Sequence, residues 1–145
     1  MEIKMAIKQL SVFVENKKGS LHEITDLLAK ENIDLRSMCV ADTNNFGIVR
    51  IITTEPERAV EVLKAEGHAA NVREITAFAV PDQPGGLAKV LSLIESSGRD
   101  IEYSYALITS EAGKAYSVMR TDDDKKTEEL LKANGIELLD EDHLK

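Results

Sequence analysis

Val80-Pro81-Asp82-Gln83-Pro84-Gly85-Gly86-Leu87 is the stretch around which the rest of the chain is arranged. It closes an alternating run, Ile75-Thr76-Ala77-Phe78-Ala79-Val80, that reads as a β-strand. It opens a segment in which Leu87, Val90, Leu91 and Ile94 recur at helical spacing and line one face. Between the two, Pro84 presets φ for the first central position of a tight turn, and Gly85 accepts the positive φ of the second. The result is strand, turn and helix start, with backbone N–H groups facing outward at the helix N-terminus. Such a place suits a carboxylate. Val12-Phe13-Val14-Glu15-Asn16-Lys17-Lys18-Gly19-Ser20-Leu21 repeats the device, Gly19 lying 66 positions before Gly85. The chain is therefore expected to be a tandem repeat, with units over residues 1–73 and 74–145.

Taken in order, residues 7–14 alternate as a first strand, and Leu21, Ile24, Leu27 and Leu28 form one side of a helix. Ile33-Asp34-Leu35 opens a second strand through Met38, Cys39 and Val40, the polar cluster Asp42-Thr43-Asn44-Asn45 is a turn, and Phe46 to Thr53 is a third. Pro56 suits the first turn of a helix that Gly67 stops, and a fourth strand near 70–74 runs into Ile75. The second unit repeats each step. Its strands fall at 103–109, 115–120 and 136–139, followed by a polar tail from Asp140 to Lys145. The order in each half is βαββαβ, a ferredoxin-like, α+β arrangement.

Each unit has roughly 70 residues, small for an isolated core, so the halves are expected to pack on each other and on a second chain. The net charge of −8, from 18 basic and 26 acidic side chains, argues against nucleic acid, which demands a basic footprint. Cys39 is the only cysteine, which excludes an internal disulfide and a cysteine-rich metal site; its apolar surroundings in sequence read as a buried structural thiol. No apolar stretch at the N-terminus is long enough for a signal peptide or a membrane span, and the expected location is cytoplasmic.

The repeated motifs resemble the ACT domain, and the chain is similar to a stand-alone tandem pair of them over nearly its whole length. The marks are Glu15-Asn16-Lys17-Lys18-Gly19-Ser20-Leu21 with Asn32-Ile33-Asp34-Leu35, and Pro81-Asp82-Gln83-Pro84-Gly85-Gly86-Leu87 with Gly98-Arg99-Asp100-Ile101. Ala41-Asp42-Thr43 followed by Phe46-Gly47-Ile48-Val49-Arg50 looks characteristic of the paired kind. The resemblance implies regulatory modules that bind amino acids or similar metabolites. It also implies two units side by side, forming an eight-stranded antiparallel sheet with helices on one face. In the serine-sensing relatives, the ligand lies between the first loop of one unit and the start of the second strand of its neighbour. Carried over by motif, the loop positions are Asn16, Lys18, Gly19, Ser20 and Leu21 in the first unit. In the second they are Asp82, Pro84, Gly85, Gly86 and Leu87. The second-strand positions are Asp34 and Asp100. Those relatives carry a histidine two residues before the loop asparagine; Val14 and Val80 stand there in this chain, which favours a more apolar ligand.

A free amino acid needs N–H donors for its carboxylate and acceptors for its ammonium. The helix starts after Gly19 and Gly85 supply the former, and Asp34 and Asp100 are suited to the latter. If the halves pack about a pseudo-twofold, Asn16 faces Asp100 and Asp82 faces Asp34, two related but unequal sites. The plainer reading stands beside this one: Asn16 and Asp82 are good turn and capping residues, and Asp34 and Asp100 can simply follow a turn into a strand.

Catalysis finds little support, because His22, His68 and His143 lack metal-ligand spacing or a nucleophile partner and read as surface histidines. Asp122-Asp123-Asp124 precedes a helix and reads as a cap, and no EF-hand glycine and glutamate accompany it. Tyr103, Tyr105 and Tyr116 have no counterparts in the first unit and read as core or pocket aromatics. No cofactor and no metal is expected. The expectation is a non-catalytic protein that binds a small amino acid between its units and regulates a metabolic enzyme in trans. An interaction scaffold without a metabolite is the alternative, and an enzyme on a ferredoxin-like frame a remote third. Phe46-Gly47-Ile48-Val49-Arg50-Ile51-Ile52 is apolar on both alternating faces, which predicts a second layer and hence a homodimer. Light scattering at micromolar concentration is expected to return twice the chain mass; a monomer mass rules the simplest form out.

Overall fold

The computed structural model of the protein describes residues 6–42 and 46–145, so three residues of the turn expected at 42–45 lie outside the described ones. The chain divides into two compact units, one being Lys8–Glu74 and the other residues 75–145 together with Ala6 and Ile7. Each runs βαββαβ and holds its own four-stranded antiparallel sheet.

In the first unit the elements are β1 (Lys8–Glu15), α1 (Ser20–Lys30), β2 (Leu35–Asp42), β3 (Phe46–Thr53), α2 (Pro56–Ala65) and β4 (Ala69–Glu74), with sheet order β2-β3-β1-β4. Alternation along β1 sends Leu10, Val12 and Val14 to one face, where they meet Ile24 and Leu28 of α1, Leu63 of α2, and Val49 and Ile51 of β3. Burial of each leucine or isoleucine there is worth about 1.5–3 kcal/mol, which pins both helices to that side of the sheet. Pro56 opens α2 as expected, and its missing N–H costs nothing at a first turn.

The second unit comprises β5 (Thr76–Pro81), α3 (Gly86–Ser96), β6 (Ile101–Leu107), β7 (Lys114–Thr121), α4 (Asp124–Ala133) and β8 (Glu137–Leu138), in the order β6-β7-β5-β8. Phe78, Val80, Val90, Ile94, Met119 and Leu131 form its helix-side core. Both second strands carry a bulge at the same place: Leu35 pairs with Thr53 and Ser37 with Ile52, while Ile101 pairs with Thr121 and Tyr103 with Arg120. Arg36 and Glu102 are the extra residues. The bulge breaks the period of two, so Leu35, Met38 and Val40 all share the helix-side face.

Four features differ from the sequence reading, the first being the strand expected over 103–109, which runs Ile101–Leu107 because its pairing with β7 starts at Ile101 and Thr121. The closing strand expected over 136–139 is shorter, Glu137–Leu138 beside β5, with the Leu139 N–H donating to the Ala77 carbonyl at 2.9 Å. The tail expected to be polar is a 3-10 turn, Glu141–Leu144, capped by Asp140, whose side chain accepts from the Asp142 N–H at 3.0 Å. Leu144 is buried, and the His143 ring stands edge-on to Tyr116 at 5.9 Å, so this end of the chain docks instead of trailing. Cys39 is half-buried and not fully covered, because β2 is the outer strand of its sheet. The acidic run does cap α4: Asp123 accepts from the Lys126 N–H at 3.1 Å, and Asp124 accepts from the Thr121 N–H at 3.0 Å.

Beside the docked tail, the Lys114 ammonium donates to Glu137 at 2.8 Å and lies 3.0 Å from Glu111. The Tyr116 hydroxyl donates to Glu111 at 2.6 Å. That hydrogen bond, and then Lys114, hold the Glu111 carboxyl below its ordinary range. Glu137 first, then Glu111, raise Lys114, and burial followed by the bond to Glu111 pushes the Tyr116 phenol above 10.0. A lowered carboxylate stabilises the fold above 4.5, and that contribution is lost as pH falls through its folded value. The raised phenol and ammonium act in the opposite sense and lose their contributions as pH rises past 10.

Two expected outcomes follow from this geometry. In thermal melts, the gap between wild type and Glu111→Gln is present at pH 7 and shrinks as pH drops below 4.5; a gap that widens on acidification contradicts the assignment. The second concerns Gly86, where an added Cβ would stand 2.3 Å from the Pro81 carbonyl oxygen. Gly86→Ala therefore forces the turn open and is expected to cost about 1–3 kcal/mol, read as a fall of several degrees in the melting temperature.

Candidate functional site

The turn ahead of each unit's first helix has the same backbone. Lys18 and Gly19 are the central residues of one, closed by the Ser20 N–H donating to the Lys17 carbonyl at 3.3 Å; Pro84 and Gly85 are those of the other, closed by the Gly86 N–H on the Gln83 carbonyl at 3.1 Å. Gly19 (φ 89°, ψ −4°) and Gly85 (φ 87°, ψ −8°) take the second central position of a type II turn, which a side chain strains. Each glycine is also the N-cap of its helix and so brings no side chain of its own to the first-turn amides. Those N–H groups keep their positive end of the helix dipole for an outside anion.

In the first unit this turn forms one wall of an open cleft of about 580 Å³. Asn16, Lys18, Gly19, Ser20 and Leu21, all expected as ligand contacts, line it together, and so do Glu15 and Lys17. The Asn16 side chain lies over Gly47 of β3, where a Cβ would come 3.4 Å from its Oδ1. The Ser20 hydroxyl donates to the Glu15 carbonyl at 2.9 Å and so closes the base of the turn. Val14, His22 and Val40 complete the lining. Val40 carries no local signal in the sequence, since it reaches the cleft from β2 and only the strand register discloses its side.

The second unit presents the corresponding turn with different side chains. Asp82, Pro84, Gly85 and Leu87 are exposed, and Gly86 is pressed against the Pro81 carbonyl where Ser20 instead places its hydroxyl. The Asp82 N–H donates to the Gly113 carbonyl at 3.0 Å, tying the turn to the start of β7.

Asp34 and Asp100 lie elsewhere. Within the first unit β1 ends beside Phe46, whereas Asp34 precedes Leu35, which pairs with Thr53 at the other end of β3. The eight residues of β3 separate the two places by roughly 25 Å at the rise of a strand. Asp34 is exposed, its carboxylate 3.2 Å from the Arg36 guanidinium and its carbonyl accepting from the Thr53 hydroxyl at 2.6 Å. Asp100 is exposed as well, and Asp122 holds its backbone from both sides: the Asp100 N–H donates to the Asp122 carboxylate at 3.0 Å, and the Asp122 N–H donates to the Asp100 carbonyl at 3.1 Å. Neither aspartate shares a site with the turn of its own unit.

The histidines are less uniform than expected. His22 is exposed at the cleft, but His68 is largely buried with Nε2 3.3 Å from Glu23, and His143 anchors the tail. Among the described residues, Glu111, Glu137 and His143 are close enough to share a cation, and the Lys114 ammonium already stands between the two carboxylates. No described helix is long and apolar enough to cross a membrane.

Comparison with known proteins places this geometry in a family. Residues 5–145 match the model of the ACT domain pair. The chain is similar to protein BT0572 from Bacteroides thetaiotaomicron, with 40% identity over 97% of this chain and 96% of that one and a TM-score of 0.87. It shares its fold with the ligand-free regulatory subunit of aspartate kinase from Thermus thermophilus, at 16% identity, a TM-score of 0.68, and coverage of 92% and 94%. The regulatory subunit of aspartate kinase from Thermus flavus is similar at 17% identity and a TM-score of 0.64, covering 89% and 90%. No curated protein matches the chain. Two βαββαβ units, each with a glycine turn ahead of its first helix, and a family match over nearly the full length establish that the chain belongs to the ACT domain pair family.

Proposed function

We propose that this chain is a non-catalytic regulatory protein that binds a small amino acid or a related metabolite and acts in trans on a metabolic enzyme, as a cytoplasmic homodimer. The observation that carries the reading is the cleft at the first turn, where five expected contact residues converge beside the first amides of α1. A carboxylate gains there from the helix dipole and from Lys18. Asp34 and Asp100 are the proposed acceptors for an ammonium, each lying about a strand length from the turn of its own unit. The regulatory subunits of aspartate kinase share the fold, which is consistent with a regulatory role without naming a ligand.

The test is a thermal-melt screen against the twenty amino acids at millimolar concentration. A ligand at 100 times its dissociation constant stabilises by about 2.7 kcal/mol, a shift of several degrees for a chain of this size. At least one of Asp34→Ala and Asp100→Ala is expected to diminish that shift, and both leave the ligand-free melting temperature within about a degree, since both side chains are exposed. A flat screen, repeated with nucleotides and keto acids, favours the scaffold reading, for which exposed Phe13 and Phe46 on one face of the first sheet are the available surface.

A further inference from the structure

We infer that the ligand is a monocarboxylate with an apolar side chain, an α-amino acid or the matching α-oxo acid, and that the first turn alone binds it, one molecule per chain. This rests on the reading of the chain as a metabolite-binding protein and specifies which metabolite class and which turn. Three of the side chains lining the cleft are large and apolar: Val14 is largely covered, Leu21 is 39% exposed on α1, and Val40 is 45% exposed on β2. Met38 continues the same helix-side row, 43% exposed. Large apolar side chains left open in a cleft that also holds a cation and a helix start match a molecule that is charged at one end and greasy at the other. A ligand hydroxyl or second carboxylate directed at Val14, Leu21 and Val40 would lose its water and meet no partner there.

The two turns also differ in charge. Asn16-Lys17-Lys18 in the first unit corresponds to Asp82-Gln83-Pro84 in the second, and His22 to Ala88. Lys17 is paired with Glu15 at 3.5 Å, whereas Lys18 makes no ion pair with a described residue and its charge remains available. Between Pro81 and Leu87 the second turn holds an exposed aspartate and no cation, Lys89 following one helical turn further along α3 where Glu23 stands in the first unit, so a carboxylate at the turn itself is attracted less than at Lys18. The apolar wall is reduced there too, because Ala106 stands where Val40 stands in the first unit.

Isothermal titration of the full chain with leucine, phenylalanine, the α-oxo acid of leucine, serine and aspartate decides the matter. Leucine, phenylalanine or the oxo acid is expected to bind with a stoichiometry of one per chain and at least about tenfold more tightly than serine or aspartate. Binding of both leucine and its oxo acid assigns recognition to the carboxylate and the chain; binding of leucine alone adds the ammonium, and either result supports the inference. Val40→Ser is expected to weaken leucine about tenfold, and Lys18→Glu by more, with ligand-free melting temperatures unchanged because both positions are exposed. Tighter binding of serine or aspartate, or two molecules per chain, overturns the inference and leaves the metabolite-binding reading standing. If no amino or oxo acid binds, that reading fails, and this one with it.

Discussion

A strand that must become a helix within four residues needs one position with a left-handed backbone, and this constraint shapes both units. Glycine meets it at 19 and 85, and the turn it makes brings the first helical amides to the surface beside the end of the sheet. The helix can then fold back over the strand it came from, so that Ile24 and Leu28 reach Leu10, Val12 and Val14 in one unit, and Val90 and Ile94 reach Phe78 and Val80 in the other. The core and the anion-attracting surface are two results of the same turn. A side chain that closed the glycine position would disturb both.

Within that shared frame the repeats have diverged where the backbone leaves freedom. The first central position of the turn accepts lysine in one unit and proline in the other, since neither needs an unusual dihedral there. The next residue is tightly constrained in one copy and less so in the other: Ser20 bonds the preceding carbonyl with its hydroxyl, while Gly86 lets the chain close directly over it. The second unit has spent its variable positions on internal ties. Its turn is bonded to Gly113, its Asp100 backbone to Asp122, and Glu111, Lys114 and Tyr116 make a polar cluster on which the C-terminus rests. The first leaves Lys18, Leu21 and Val40 exposed at its cleft.

The fold was legible because glycine, proline and apolar spacing act locally. Gly85 announces its turn through its neighbours Pro84 and Val80, and Leu87, Val90, Leu91 and Ile94 disclose their helix face without reference to the rest of the chain. That Asn16, Lys18, Gly19, Ser20 and Leu21 come together at one cleft was legible for the same reason. What escaped the sequence depends on partners far away. Val40 faces the cleft because of its pairing across to Val49, Leu144 is buried because Tyr116 and His143 meet, and His68 is covered because Glu23 lies on the neighbouring helix. Asp34 and Asp100 are visible as polar residues at the start of a strand, yet nothing local reveals that a whole strand length separates them from the turn in their own unit.

The bulges at Arg36 and Glu102 make each second strand two reading frames spliced at one residue. Leu35, which packs on the core, and Val40, which walls the cleft, are five positions apart and would oppose each other on a regular strand. The extra residue puts them on one side. It follows that the strand has one place where length is negotiable: removing Arg36 restores an ordinary ladder with every later side chain still facing as before. Removing Cys39 instead brings Val40 opposite Arg50 and turns the apolar wall to the far side of the sheet. Related chains that differ in length here can keep the same cleft only if the change falls at the splice.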